Sequence, residues 1–388
     1  MSGFNSNNWK IIINNWKIIE INKLISKIEK IKHWDLVYLK IKKYKNKQMN
    51  HKENILKCFK LLINIVQAKD TNNCNFKIRQ YTETIKAITN YNGEIRDIDD
   101  VSKILVDYGI KKPKKTLQKI LEILNTGTLE VVEKNKNDPI VLAVTNLTKI
   151  YSIGIKKAIE LYNKYGITDI NSLREEFKSN PTIIHKKQTI GLIYYDDLLK
   201  KIPRNEMDDY KKTLLNISNI IDPTIKLSIN GSYRRGCNTS GDIDVLITSN
   251  NKTSRKNFIN YLKKNNIIVE TLANGDKKFM GISILPGYNI HRHIDIIETT
   301  IEEYAFGVLY FTGSGGFNII MRRHALKLGY TLNEYSLSDY KTKQNISSIE
   351  INNKINKLYF EEEKDIFDFL DMDYIQPSDR NTITFSKI

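Results

Sequence analysis

Two aspartates one residue apart, entering an apolar run, constrain this chain more than any other feature: Gly241-Asp242-Ile243-Asp244-Val245-Leu246-Ile247. The run reads as a strand, and residues two apart on a strand share a face. Two carboxylates side by side repel unless something positive lies between them. A hard divalent cation such as Mg²⁺ meets that need through oxygen ligands, and phosphate oxygens can complete its shell. The preceding segment suits the same chemistry. Ile225 to Ile229 alternates apolar and polar, which predicts another strand. Gly231-Ser232 then makes a tight turn into a short helix, whose free N–H groups and positive dipole end favour phosphate. Arg234 and Arg235 add charge beside it.

A third carboxylate stands in His291-Arg292-His293-Ile294-Asp295-Ile296-Ile297, a strand whose Ile294 and Ile296 point away from Asp295. Three carboxylates could hold two metal ions, which activate a hydroxyl nucleophile and stabilise a leaving pyrophosphate. Taken alone, Asp-x-Asp also describes the solvated edge of an ordinary strand. The Gly-Ser turn upstream and the acidic strand downstream favour the metal.

Charge narrows the partner. The 388 residues carry a net charge of +17, which points to a polyanion. An anionic membrane surface is the rival, but no long basic amphipathic stretch dominates. No run of about 18 apolar residues predicts a membrane span, and the start lacks a secretory pattern. Cys58, Cys74 and Cys237 are too sparse for a disulfide framework and predict free thiols in a reducing, intracellular compartment. The richness in Asn, Ile and Lys fits a genomic base bias, so single lysines carry little weight.

Along the chain, Asn7-Asn8-Trp9-Lys10-Ile11-Ile12-Ile13 is repeated as Asn14-Asn15-Trp16-Lys17-Ile18-Ile19-Glu20, followed by a basic helical stretch to about Lys47. This is too short for a solenoid. Helical spacing begins at Ile55, Phe59, Leu62, Ile63 and Val66. Three more helices are predicted over 76–89, 99–106 and 114–124, the last stopped by Asn125-Thr126-Gly127. Beyond the carboxylates, a helix near 255–264, strands at 279–285 and around Asp295, and a helix over 302–311 are expected. A further helix starts near Ser314, and 361–373 reads as an acidic helix.

Gly231-Ser232-Tyr233-Arg234-Arg235-Gly236 and Ser240-Gly241-Asp242-Ile243-Asp244-Val245-Leu246 resemble the nucleotidyltransferase signature of family X DNA polymerases, the polymerase beta group above all. The match continues through Lys201-Ile202-Pro203-Arg204, Lys278-Phe279-Met280-Gly281, Tyr310-Phe311-Thr312-Gly313-Ser314, Asn333-Glu334-Tyr335 and Lys364-Asp365-Ile366-Phe367-Asp368. The resemblance implies a multi-domain α+β protein. Its parts would be a low-complexity basic extension at 1–48, a lyase-like helical domain at 49–133 and a helix-hairpin-helix duplex-binding region at 134–203. A catalytic palm at 204–301 and an α+β nucleotide-selecting subdomain at 302–388 would follow. Met49 sits where the family's own chain would begin.

The resemblance also implies roles. Asp242, Asp244 and Asp295 would hold two Mg²⁺ ions, with Mn²⁺ able to substitute. Lys201, Ser232, Arg235, Ser240 and Gly241 would meet the triphosphate; Lys201 replaces an arginine and loses its bidentate fork. Tyr310, Phe311 and Gly313 would press the sugar of the incoming dNTP, Asn318 its base or the minor groove, and Arg322 the template. His293 replaces an arginine that orients the carboxylates; an ordinary surface histidine is the other reading. Gly315 and Ile319 stand where the family has an aspartate and a lysine. In the amino-terminal part, Lys119 falls at the Schiff-base lysine, with Lys77, Tyr81 and Lys115 on the DNA. Neighbouring Lys111, Lys112, Lys114 and Lys115 would favour its neutral amine. The first hairpin, Tyr108-Gly109-Ile110-Lys111-Lys112-Pro113-Lys114, departs from the family's Gly-x-Gly, so the lyase is expected to be weak. The second, Leu147 to Ala158, is closer: the carbonyls of Thr148, Ile150 and Ile153 would bind K⁺ or Na⁺, and Gly154 would open a helix onto a phosphate. Ser152 replaces a glycine there.

The function implied is a monomeric DNA-directed DNA polymerase that fills short gaps in base excision repair. It would act on gapped or nicked duplex DNA, alongside a DNA ligase, in the nucleus or, for a virus, the cytoplasm or virion. A template-independent nucleotidyltransferase and a non-catalytic DNA-binding scaffold are the rivals.

Overall fold

The computed structural model describes residues 51–69, 74–91, 93–110 and 113–381. The expected extension at 1–48 with its repeat, and Lys111 and Lys112, lie outside them. Helix α1 (His51–Lys69) buries Ile55, Cys58, Phe59, Leu62 and Ile65, the stripe that a 3.6-residue period places on one face. Around it pack α2 (Cys74–Asn90), α3 (Ile98–Asp107), α4 (Lys114–Thr126) and the short α5 (Glu130–Asn135). Asp97 caps α3 by accepting from the N–H groups of Asp99 and Asp100. Gly127, at φ 82°, ends α4 where expected.

A second apolar centre forms between α6 (Pro139–Leu147), α7 (Ile155–Tyr165), α8 (Ile170–Ser179) and α9 (Lys186–Ile193), with the one-turn α10 (Tyr195–Leu198) following. A two-residue strand, β1 (Ile202–Pro203), then leads into the long α11 (Arg204–Ile221).

The third centre is a five-stranded sheet. Its strands are β2 (Lys226–Ile229), β4 (Ile243–Thr248), β5 (Ile268–Asn274), β6 (Lys278–Ser283) and β7 (Arg292–Glu298), in the order β2-β4-β7-β6-β5. All neighbours are antiparallel except β4 and β7. Between β2 and β4 come the one-turn α12 (Gly231–Arg234) and β3 (Thr239–Ser240), which pairs with β1. Ile243, Val245, Ile247, Ile294, Ile296 and Phe279 face α11 and α13 (Ser254–Lys264) and form the largest apolar core. The opposite face is covered in part by two smaller apolar clusters, around Leu246 with Tyr304 and Val308 and around Ile282 with Ile190 and Leu272. Strand β5 was not evident in the sequence: two register shifts against β6 break its alternation.

The carboxy-terminal part packs α14 (Ile301–Thr312), α15 (Gly315–Lys327), the hairpin β8 (Tyr330–Leu332) and β9 (Leu337–Asp339), α16 (Ser348–Ile355) and α17 (Glu363–Phe369) around Phe306, Phe317, Phe367 and Phe369. The acidic helix expected over 361–373 is shorter than read. Leu370 caps it, and Asp371 turns to φ 52°.

This part also reaches back to the amino-terminal helices. Arg323 donates from Nη1 to the Asp107 carbonyl at 2.7 Å and from Nη2 to the Tyr108 carbonyl. Ile319, which stands where the family has a lysine, packs against the amino-terminal core. Among the described residues no helix is long and apolar enough to cross a membrane. Cys58 and Cys237 are free thiols.

Candidate active site

The carboxylates come together because β4 and β7 run parallel in one register. Asp244 lies directly opposite Asp295, and Leu246 opposite Ile297, on the face turned away from the main core. Asp242 immediately precedes β4 and is exposed. Burial, then the charges of Asp242 and Asp295, push the Asp244 carboxyl up to about 7, against the opposing pull of Lys278 and Arg235. Gly231, at φ 59°, makes room for that carboxyl: a Cβ there would stand 2.3 Å from Asp244 Oδ2. The Gly-Ser turn is thus seated against the second aspartate, and the Asn230 N–H donates to the Asp244 carbonyl at 2.8 Å.

Lys278 brings a cation to the group, its Nζ 2.6 Å from Asp295 Oδ2. Lys278 was evident in the sequence only as part of a motif. The signal was strand geometry: Met280 lies opposite Asp295, so Lys278, two residues away on the same face, is its diagonal neighbour. Asp295 Oδ1 and His293 Nε2 are both buried without a hydrogen-bond partner, 3.6 Å apart. His293 is therefore not an ordinary surface histidine. Repelling carboxylates with an unsatisfied buried oxygen fit a divalent cation. Among the described residues no three His, Cys, Asp or Glu are drawn together tightly enough to hold an ion.

The β1–β3 pairing brings the other expected phosphate contacts to this edge. Ile202 pairs with Ser240, which sets Lys201 beside Gly241: its Nζ is 3.5 Å from where a Gly241 Cβ would be. Ser240 Oγ is buried with no partner. The linker is pinned from below by Arg292, buried beside His293. Arg292 donates to both oxygens of buried Glu206, at 2.8 and 2.6 Å, and to the Lys200 carbonyl at 3.0 Å. Ser232 lies half-buried in α12.

Arg234 and Arg235 stand beside the turn, each held by partners from the carboxy-terminal part. Arg234 donates to Thr312 Oγ1 at 2.8 Å and to Glu363 at 2.6 Å. Glu363 also accepts from Arg380 and from the Tyr374 hydroxyl. Burial acts to raise Glu363, but hydrogen bonds from Arg380 and Arg234 outweigh it and hold the carboxyl below its ordinary range. Arg235 donates to the Thr312 carbonyl at 2.6 Å and to Asn381 at 2.7 Å, beside Gly313. Both arginines join the sheet to the carboxy-terminal part. On that part, Tyr310 and Phe311 meet edge-on at 5.2 Å. Asn318 donates to the Tyr310 carbonyl, and Arg322 lies over the Tyr310 ring and pairs with Glu334 at 3.3 Å.

In the second hairpin, Ser152 adopts φ 67°, the left-handed geometry that a glycine takes freely. The Ile150 carbonyl already accepts from the Ile153 N–H at 3.0 Å; Gly154, exposed, precedes α7. In the first, Gly109 has φ 90° and a Cβ there would meet Arg323 at 2.2 Å. Lys115 is exposed on the first turn of α4, with half-buried Lys119 one turn on. Lys77 is exposed on α2, but Tyr81 is a core residue, edge-on to Phe59 at 5.5 Å and 8% exposed. The Tyr81 ring thus completes the amino-terminal core.

Three family models match this chain in succession. Residues 145–199 match the fingers domain of DNA polymerase lambda, 201–300 the DNA polymerase beta palm, and 307–381 the DNA polymerase beta thumb. The chain is 28% identical to a DNA polymerase lambda of Arabidopsis thaliana over 87% of its length and 63% of the relative's. It is 28% identical to that of Rattus norvegicus over 78% of its length and 52% of the relative's. A DNA nucleotidylexotransferase of Ambystoma mexicanum is 22% identical over 83% of this chain and 67% of the relative. The chain thus spans between half and two thirds of these relatives.

Proposed function

This chain belongs to family X of the DNA polymerases, and on that premise we propose that it is a DNA-directed polymerase filling short gaps in duplex DNA during repair. The observation that carries the reading is the in-register pair Asp244–Asp295, with Asp242 beside it, on the sheet face turned away from the main core. These three would hold divalent ions, Mg²⁺ or Mn²⁺, which when bound activate the primer 3′-hydroxyl and stabilise the departing pyrophosphate. Gly231 holds the turn against Asp244, Lys201 and Ser240 offer donors to the triphosphate edge, and Arg292 keeps the Lys201 backbone in place. Tyr310 and Phe311 would wall the sugar pocket of the incoming dNTP, with Asn318 and Arg322 at the nascent pair.

The carbonyls of Thr148, Ile150 and Ile153 would take a monovalent cation, and Gly154 a strand phosphate. In the amino-terminal region, Lys119 would attack the aldehyde of a 5′-deoxyribose phosphate, giving a weak lyase. The protein would work as a monomer in a reducing, intracellular compartment, handing its product to a DNA ligase. Primer extension tests the main reading. The wild-type protein should fill a one-nucleotide gap, while Asp295→Ala should abolish extension and spare gapped-DNA binding. Equal extension of single-stranded DNA without template would favour the template-independent rival. Binding without any extension would favour a scaffold.

A further inference from the structure

We propose that Tyr151 and His293 form the seat for the terminal sugar of the primer strand, a role that rests on the polymerase reading and extends it to a residue outside the expected set. Tyr151 stands at the corner between α6 and α7, and Ser152 turns the chain immediately after it. The corner is fixed from behind by α9. A Cβ at Gly191 would come within 2.4 Å of the Tyr151 carbonyl oxygen and 3.0 Å of the Tyr151 Cβ, so the backbones can meet only at a glycine. Gln188, buried in α9, donates to the Ser152 carbonyl at 3.1 Å. The Tyr151 ring then lies on the carboxylate-bearing sheet face, packed with Ile190, Met280 and Ile282. Met280 is the residue opposite Asp295.

The His293 ring lies 5.9 Å from the Tyr151 ring, tilted by 41°, so the two rings meet as a pair. Beside this pair opens a cleft of about 250 Å³, walled also by Leu199, Lys149, Gly241 and Asp242. Its chemistry matches one sugar-phosphate unit. Ring and leucine faces suit the apolar face of a deoxyribose, and the phenol and imidazole can hydrogen-bond its oxygens. Lys149 supplies a charge for the adjoining phosphate. The cleft borders both Asp242 and His293, whose neighbour two residues on is Asp295. A strand end lodged there would direct its 3′-hydroxyl to the carboxylates.

The test uses the full chain, with Tyr151→Phe to keep the packing and lose the hydroxyl, and Tyr151→Leu to lose the ring. Single-turnover filling of a one-nucleotide gap is measured from a matched and from a mismatched primer terminus. A mismatch displaces the terminal sugar, so it already forgoes the seat. Tyr151→Leu should slow matched extension by about tenfold or more, a loss expected of a misplaced reacting group, with the KM for dNTP and the affinity for gapped DNA changed by less than about twofold. Mismatched extension should change little, so discrimination narrows; Tyr151→Phe should fall between. Without added metal, a primer ending in 2-aminopurine should emit differently when bound to Tyr151→Leu than to wild type. Equal slowing on both termini, a rise in KM alone, or identical emission would overturn the proposal and leave Tyr151 as a packing residue. Failure of the wild-type protein to extend either primer would instead overturn the polymerase reading.

Discussion

The sheet region and the amino-terminal helices handle their charged groups in opposite ways. On the sheet, charge is forced together: Asp244 and Asp295 face each other on adjacent strands, and repulsion and burial hold Asp244 near neutrality. In the amino-terminal helices, charge is spread out: Lys77, Lys114 and Lys115 lie exposed above an apolar core that contains Tyr81. The first arrangement stores an unfavourable interaction that a bound cation can relieve. The second builds a field that attracts a polyanion without fixing its geometry.

The largest expected effect tests the strain. A carboxyl whose folded pKa is raised gives full stability below its unfolded value and loses it as pH rises through the folded value. For Asp244 that window runs from the ordinary carboxylate range to about 7. Asp244→Asn should therefore abolish extension yet stabilise the metal-free protein, by at most on the order of 4 kcal/mol above pH 7 and hardly at all near pH 4. Urea unfolding with chelator at both pH values decides it; an equal shift at both would remove the strain from the account. Next, Lys119→Ala should cost about tenfold or more of the borohydride-trapped adduct on an incised abasic site while leaving gap filling intact. An undiminished adduct would move the nucleophile to Lys115. Gly109→Ala should destabilise the protein by about 1–3 kcal/mol, since φ 90° and the Arg323 contact both oppose a side chain. Its thermal midpoint should fall, and no fall would show that the first corner is slack. Smallest of all, Ser152→Gly should change stability by within about 1 kcal/mol, with relief of left-handed strain offset by the freer unfolded chain. A larger gain in the unfolding midpoint would show that the second corner is strained as well.

What could be read in advance divides along the same line. The carboxylate strands were legible because a two-residue period leaves no choice of face. The end of α4 was legible because Gly127 is a stop signal. The partners of Arg234 and Arg235 were not legible for a physical reason: Glu363 and Thr312 lie more than seventy residues on. The burial of Tyr81 was not legible because the resemblance marks its place in a motif and says nothing of how much of the ring is covered. The docking of Ile319 on the amino-terminal core was not legible because nothing local reports that another region meets it there.

That docking has a consequence in time. The carbonyls of Asp107 and Tyr108 close the end of α3, and Arg323, which bonds to them, lies 216 residues beyond Asp107. At roughly 5–20 residues per second, a ribosome delivers Arg323 some tens of seconds after α3 has emerged. Through that interval the amino-terminal helices must hold together on their own apolar contacts, with water at the open helix end. The nascent chain thus acquires its amino-terminal fold early and its final latch late. A protease that samples the growing chain would find the 107–110 corner exposed until synthesis of α15 is complete.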